Sequence, residues 1–178
     1  IEVEMLKQDG ERVEIGEAIV RIRGSVASLL AGERVLLNLV QRMSAIATLT
    51  HSCVDTLNSS HTRIVDTRKT TPGLRMFEKY AVRMGGGFNH RNGLYDAVML
   101  KDNHIAAAGS ISRAIELVRS KVGHTVAIEV EVETEEQLLE AIGAKPSIIM
   151  LDNQTPEMIS KWVQLVPDTI ITEASGGI

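Results

Sequence analysis

Cysteine is almost absent from this 178-residue chain, and the lone Cys53 excludes an intrachain disulfide framework and a cysteine-based zinc site. A fold without such staples is expected in a reducing, cytoplasmic compartment. Aromatic residues make up only 3%, beside 44% hydrophobic and 24% charged residues, a balance that excludes disorder and fits an ordinary globular protein of one or two domains. Basic excess is missing too. A net charge of -4 and a pI near 5.8 provide no global field for nucleic acid, so an anion-binding site must come from local clusters of Arg and Lys. No apolar run reaches the roughly 18 residues of a spanning helix, so no membrane insertion is expected. Ile1-Glu2-Val3-Glu4-Met5 has neither an initiator methionine nor the basic-then-apolar layout of a signal peptide, and the chain is expected to start inside a domain.

What is present has two rhythms. Residues 1 to about 23 alternate apolar and polar, with Asp9-Gly10 as a turn, and predict a short antiparallel β segment. From Gly32 to about Asn58, Val35, Leu36, Leu39, Val40, Met43, Ile46, Ala47, Thr50, Cys53, Val54 and Leu57 follow helical spacing; one long helix is expected, with Ser44 the candidate break and Cys53 a small buried hydrophobe. Strand-like runs at Arg63–Val65, Ala97–Leu100, Val126–Val130, Ile148–Leu151 and Thr169–Thr172 then alternate with amphipathic helical stretches. Ser110, Thr134 with Gln137, and Thr155 before Pro156 mark helix starts. This βα repeat predicts parallel pairing with right-handed crossovers, in an α/β sheet or barrel. A full (β/α)₈ barrel takes about 250 residues. The chain is shorter and stops at Ser175-Gly176-Gly177-Ile178, directly after the fifth run, so the expected barrel is open or truncated. Residues 1–31 are read as the end of an N-terminal α+β domain, and 32–178 as the barrel domain with its C-terminal strands missing.

Loops after the carboxyl ends of parallel barrel strands converge on one mouth, and every such position here carries charge. Asp66-Thr67-Arg68-Lys69 follows the first run, Lys101-Asp102-Asn103-His104 the second, Glu129 and Glu131 stand at the third, Asp152-Asn153 at the fourth, and Glu173 with Ser175-Gly176-Gly177 at the fifth. Basic residues come early (Arg68, Lys69, Arg91, Lys101) and acidic ones late (Glu129, Glu131, Asp152). The expectation is a cavity with one cationic and one anionic wall, suited to an anionic substrate beside a metal-bound polyphosphate. For any one residue a solvated strand end is the blander explanation; agreement across five strands favours a site. Gly85-Gly86-Gly87 is not a P-loop: it follows a helical stretch, and Gly85 reads as its C-cap, leaving His90 and Arg91 presented beyond it. The Arg91 cation favours a neutral His90 able to orient a carboxylate. His51 and His61 read as surface or packing residues, His124 as a turn residue and Trp162 as a packing residue. Neither His-x-x-x-His nor Gly-x-Ser-x-Gly occurs, so a histidine metal site and a serine hydrolase find no support.

Asp66-Thr67-Arg68-Lys69-Thr70-Thr71-Pro72-Gly73-Leu74-Arg75, Glu78-Lys79-Tyr80-Ala81-Val82, Gly85-Gly86-Gly87-Phe88-Asn89-His90-Arg91 and Lys101-Asp102-Asn103-His104 together resemble the quinolinate phosphoribosyltransferase family. The likeness extends from Gly32-Glu33-Arg34 through Glu129-Val130-Glu131-Val132 and Leu151-Asp152-Asn153 to Glu173-Ala174-Ser175-Gly176-Gly177. It implies an α/β fold: an open or truncated (β/α) barrel of the type II phosphoribosyltransferase kind, preceded by the remnant of a small α+β domain. It also implies transfer of ribose 5-phosphate from phosphoribosyl pyrophosphate to quinolinate, with loss of pyrophosphate and CO₂, giving nicotinate mononucleotide for NAD synthesis. The resemblance puts the quinolinate carboxylates on Arg34, Thr67, Arg68, Lys69, His90, Arg91 and Lys101. It assigns Mg²⁺ to Glu131 and Asp152, directly or through water, and the 5-phosphate to Ser175, Gly176 and Gly177. Lys69, Lys101, Glu131 and Asp152 are then the catalytic set, and Arg34 completes the neighbouring site of a homodimer. The family's pattern is missing the first part of its N-terminal domain and the strands after Ile178, so this stretch alone is expected to fold poorly. Two rival readings are a related enzyme for nicotinate or another heterocycle, and a noncatalytic anion-binding paralogue. Several basic residues exceed what one carboxylate needs, and the presence of Glu131 and Asp152 speaks against the second.

Overall fold

The computed structural model describes residues 1–177, which divide into two compact units, Ile1–Asn92 and Gly93–Ile178. In the first, β1 (Glu2–Met5) pairs antiparallel with β2 (Val20–Arg23), in the register Glu2 to Arg23. The expected turn at Asp9-Gly10 forms, with the Glu11 N–H donating to Gln8 O at 3.1 Å and Gly10 at φ 85°, but it lies within a longer connection between the strands, and the Tyr80 hydroxyl donates to Asp9 Oδ2 at 2.5 Å.

Helix α1 (Val26–Leu57) starts earlier than Gly32 because the Ser25 hydroxyl caps it, accepting from the Ser28 N–H at 3.2 Å. It passes Ser44 unbroken and ends at Asn58 in the left-handed region, φ 41°. Only part of the expected apolar stripe is covered: Leu39, Val40, Met43, Ile46, Ala47, Thr50 and Val54 are at least half-buried, while Val35, Leu36, Leu57 and Cys53 are exposed. Cys53 is therefore not the buried hydrophobe its spacing implied; it stands one residue off the covered face. Helix α2 (Arg75–Met84) packs against α1. Gly85 ends α2 and Gly87 follows it, and a Cβ on either would collide with Ala47 or Thr50 of α1, or with Val82. The glycines thus serve helix-to-loop packing.

The run Arg63–Val65, expected as the first barrel strand, is not one. Val65 forms a single parallel bridge to Phe88, with the Phe88 N–H donating to Ile64 O and the Asp66 N–H to Phe88 O. Only Val65 finds a partner there, so no ladder forms and the pairing serves to align two loops.

The second unit holds an open parallel sheet in the order β3 (Val98–Leu100), β4 (Ile128–Val132), β5 (Ile148–Asp152), β6 (Ile171–Ser175). Helices α3 (Asp102–Ala108) and α4 (Ile111–Arg119) follow β3, α5 (Glu135–Ala144) follows β4, and α6 (Pro156–Val163) follows β5. The predicted caps form: Ser110 accepts from the Arg113 N–H, Thr134 and Gln137 make a reciprocal box, and Thr155 caps with Pro156 in the first turn. Val130, Val132, Ile149, Leu151 and the helix residues Ile111, Ile115, Leu138 and Trp162 form the core, all essentially fully buried. Trp162 packs as expected. β4 runs two residues and β6 three residues beyond their predicted ends, so Glu131 and Ser175 lie within strands.

Candidate active-site residues

Side chains alternate across a strand, so the residues between the core positions share the opposite sheet face. Register places Met99 beside Glu129, Glu131 beside Met150, Met150 beside Glu173, and Asp152 beside Ser175. That face carries Glu129, Glu131, Asp152 and Glu173 among Met99, Ile148 and Met150, whereas the helix-side face is apolar. At its carboxyl edge Lys101 Nζ meets Glu131 Oε2 at 2.5 Å. Carboxylate oxygens of Glu131, Glu133 and Asp152 lie within 4.8 Å of one another. Three hard oxygen donors this close fit a divalent cation of the Mg²⁺ kind, which takes one or two protein carboxylates and fills its remaining positions with water or phosphate. Glu133 was not among the expected ligands; it lies beyond the strand end, with no periodicity to single it out.

Asp152 is oriented by its neighbour. Asn153, left-handed at φ 52°, donates Nδ2–H to Asp152 Oδ2 at 2.6 Å and its backbone N–H to Ser175 O at 2.8 Å. Gly176 follows at φ 80°, where a Cβ would strike the Asn153 side chain. The Ser175-Gly176-Gly177 turn is thereby locked to the end of β5. Lys101 stands just before α3, and its N–H donates to His104 Nδ1 at 3.0 Å, so the expected loop at 101–104 is the first turn of a helix.

In the first unit, Thr67, Arg68 and Lys69 occupy one loop and His90 and Arg91 another, which the Val65–Phe88 bridge aligns. The 66–71 loop is held by its own turn bonds, Lys69 N–H to Thr67 Oγ1 at 3.0 Å and Thr70 N–H to Arg68 O at 2.9 Å. Arg75 braces both loops, donating to Thr70 Oγ1 at 3.1 Å and to Asn92 O at 3.0 Å. Beneath them Glu78 accepts from Arg42 Nε at 2.8 Å and from the Thr71 N–H at 3.2 Å. Burial raises the Glu78 pKa, but the Arg42 and Thr71 hydrogen bonds outweigh it and hold the carboxyl below its ordinary range. Arg68 Nε is buried and, among the described residues, has no hydrogen-bond partner. An unsatisfied buried guanidinium donor costs about 1–3 kcal/mol, a cost that an anion seated there would remove. Arg34 stands exposed on α1.

No helix among the described residues is long and apolar enough to cross a membrane. Residues 46–178 match the model of the quinolinate phosphoribosyl transferase C-terminal domain, and residues 1–44 that of its N-terminal domain. A probable nicotinate-nucleotide pyrophosphorylase (carboxylating) of Bacillus subtilis is 58% identical over 97% of this chain and 60% of its own length. A nicotinate-nucleotide pyrophosphorylase (carboxylating) of Mycobacterium leprae is 43% identical over 96% of the chain and 61% of its own length. The crystal structure of NadC from Streptococcus pyogenes superposes with a TM-score of 0.93 at 46% identity, covering 99% of this chain and 63% of that one. The chain thus spans about three-fifths of the length of these curated relatives. Both family models, matched end to end along it, show that the chain belongs to the quinolinate phosphoribosyl transferase family.

Proposed function

We propose that the protein containing this chain transfers ribose 5-phosphate from phosphoribosyl pyrophosphate to the ring nitrogen of quinolinate, releasing pyrophosphate and CO₂ and yielding nicotinate mononucleotide. The observation that carries this reading is the cationic loop pair whose Arg68 Nε is buried without an acceptor among the described residues. Quinolinate bears two adjacent carboxylates, and forked guanidinium donors bind such groups bidentately. Arg68, Lys69, His90 and Arg91, with Thr67, Lys101 and Arg34, are assigned to them. Glu131 and Asp152 are assigned to Mg²⁺, directly or through water, and the close approach of their carboxylates supports this. The bound ion would offset negative charge on the pyrophosphate leaving group.

Transfer forms a bond from the anomeric carbon to the ring nitrogen and breaks the bond to pyrophosphate, and positive charge develops on the sugar as in glycoside cleavage. A carboxylate such as that of Glu131 about 4 Å from this charge contributes up to about 4 kcal/mol at an effective dielectric of 20. Lys101, in contact with Glu131, holds that carboxylate in place and offers positive charge to phosphate. Ser175, Gly176 and Gly177 present backbone N–H groups to the 5-phosphate. Breaking the bond to CO₂ leaves its electron pair on the ring carbon, stabilised by the adjacent alkylated nitrogen, and a proton from solvent takes the place of the lost carboxylate. Exposed Val26, Leu30, Val35 and Leu37 on the helix that carries Arg34 support a homodimer in which Arg34 serves the neighbouring site. A cytoplasmic location accords with the lone cysteine.

The test is to incubate the full-length protein with quinolinate, phosphoribosyl pyrophosphate and Mg²⁺ and assay nicotinate mononucleotide, with nicotinate as the control substrate. Product from quinolinate alone is expected; equal turnover of both acids overturns the substrate assignment. Arg68→Ala should raise the KM for quinolinate about tenfold or more while leaving that for phosphoribosyl pyrophosphate nearly unchanged.

A further inference from the structure

Beneath the cationic loops lies an ion pair that the assigned chemistry does not use. Lys79, on the buried face of α2, meets Asp66 Oδ1, with the two side chains only 3% and 7% exposed. Asp66 Oδ1 also accepts the His90 N–H at 2.9 Å, and its Oδ2 accepts Asn89 Nδ2–H at 2.6 Å. Lys79 Nζ in turn donates to the His90 carbonyl at 2.8 Å. Both backbone polar groups of His90 are therefore held by the same pair. Next in line, the Arg91 N–H donates to His90 Nδ1 at 2.8 Å, which makes Nδ1 an acceptor and puts the imidazole proton on Nε2. Asp66 directly precedes Thr67-Arg68-Lys69, so one carboxylate is tied to both ligand-binding segments.

Stability alone does not account for a charged pair here. Desolvating two ions is costly, and an apolar pair of similar volume in such a place is often as stable or more so. What an apolar pair lacks is directed donors and acceptors. A carboxylate and an ammonium aimed at one residue's N–H and C=O fix its backbone, while two methyl-bearing side chains leave it able to turn. We infer that Asp66 and Lys79 are positioning residues: their buried pair sets the backbone and ring orientation of His90, and the register of His90-Arg91 against Thr67-Arg68-Lys69, and so determines the affinity for the dicarboxylate.

This inference rests on the proposed quinolinate chemistry, and the experiment separates the two. Full-length wild type is first shown to turn over quinolinate and to bind it by calorimetry; if it does neither, the proposed chemistry fails first. The double variant Asp66→Leu/Lys79→Met removes both charges together. It is expected to melt cooperatively at a lowered midpoint, because the His90 N–H and carbonyl lose their partners, to bind quinolinate about 10- to 100-fold more weakly, and to keep the wild-type KM for phosphoribosyl pyrophosphate. Wild-type quinolinate affinity in the folded double variant overturns the inference, as does an equal weakening of both substrates. Should the double variant not fold, Lys79→Arg preserves the charge pair but not the direction of its donors. A several-fold loss of quinolinate affinity is then expected, and an unchanged affinity overturns the inference just as directly.

Discussion

Asn153 illustrates how much of the candidate site depends on single residues that do no chemistry. Its backbone is left-handed, a conformation that costs a side-chain-bearing residue roughly 1–2 kcal/mol and that Asn tolerates better than most. Its amide holds Asp152. Asn153→Ala should lower stability by about 1–2 kcal/mol and weaken Mg²⁺-dependent binding of phosphoribosyl pyrophosphate about tenfold or more. Asn153→Gly should recover the backbone cost and not the binding; calorimetric titration beside thermal melts separates the two effects. Gly85 is the reverse case. Its φ of -79° suits any residue, yet a Cβ there would run into the Ala47 carbonyl and Thr50. Gly85→Ala should therefore cost about 1–3 kcal/mol through packing, read as a shifted denaturant midpoint at constant slope.

Among the elements, α2 does most to organise the cationic loops. One face of ten residues buries Glu78, Lys79 and Ala81, and the two charged side chains reach different segments. Glu78 ties Arg42 of α1 to Thr71, and Lys79 ties Asp66 to His90. Burial by itself would raise the Glu78 pKa; the Arg42 and Thr71 hydrogen bonds reverse that and lower it. A carboxyl with a lowered folded-state pKa stabilises the fold at pH values above its unfolded pKa, and that contribution is lost as pH falls through the folded one. Glu78→Gln should therefore be less stable than wild type at neutral pH by about 1–2 kcal/mol, the half-exposed Arg42 keeping the figure modest. Urea midpoints taken down to acid pH should converge. A gap independent of pH would show that the charge on Glu78 is not what matters.

At the scale of the whole molecule, the exposed apolar residues of α1 and the exposed Arg34 lead to a prediction about assembly. If Arg34 serves the neighbouring site, Arg34→Ala and Arg68→Ala proteins, each with a raised quinolinate KM alone, should regain a wild-type KM in one site of each mixed dimer when unfolded together and refolded. No recovery from a mixture shown to contain heterodimers would remove Arg34 from the shared site. Much of this was legible in the order of the residues. The βα rhythm, the caps at Ser110, Thr134 and Thr155, the split between apolar and charged strand positions, and the family's uninterrupted motifs are local or periodic properties, visible without coordinates. Strand ends and the Arg63–Val65 run were less legible, because pairing partners decide where a ladder stops and whether it forms at all. The covered face of α1 depended likewise on what packs against it, which left Cys53 exposed despite its helical spacing. The sequence by itself determined the class of fold, the family and the identity of the charged residues. Only the tertiary structure decided that Lys79 and Asp66 meet, that Asn153 braces Asp152, and that Glu133 joins the acidic cluster, because each joins groups that no periodicity relates and that only backbone geometry brings within hydrogen-bonding or coordinating distance.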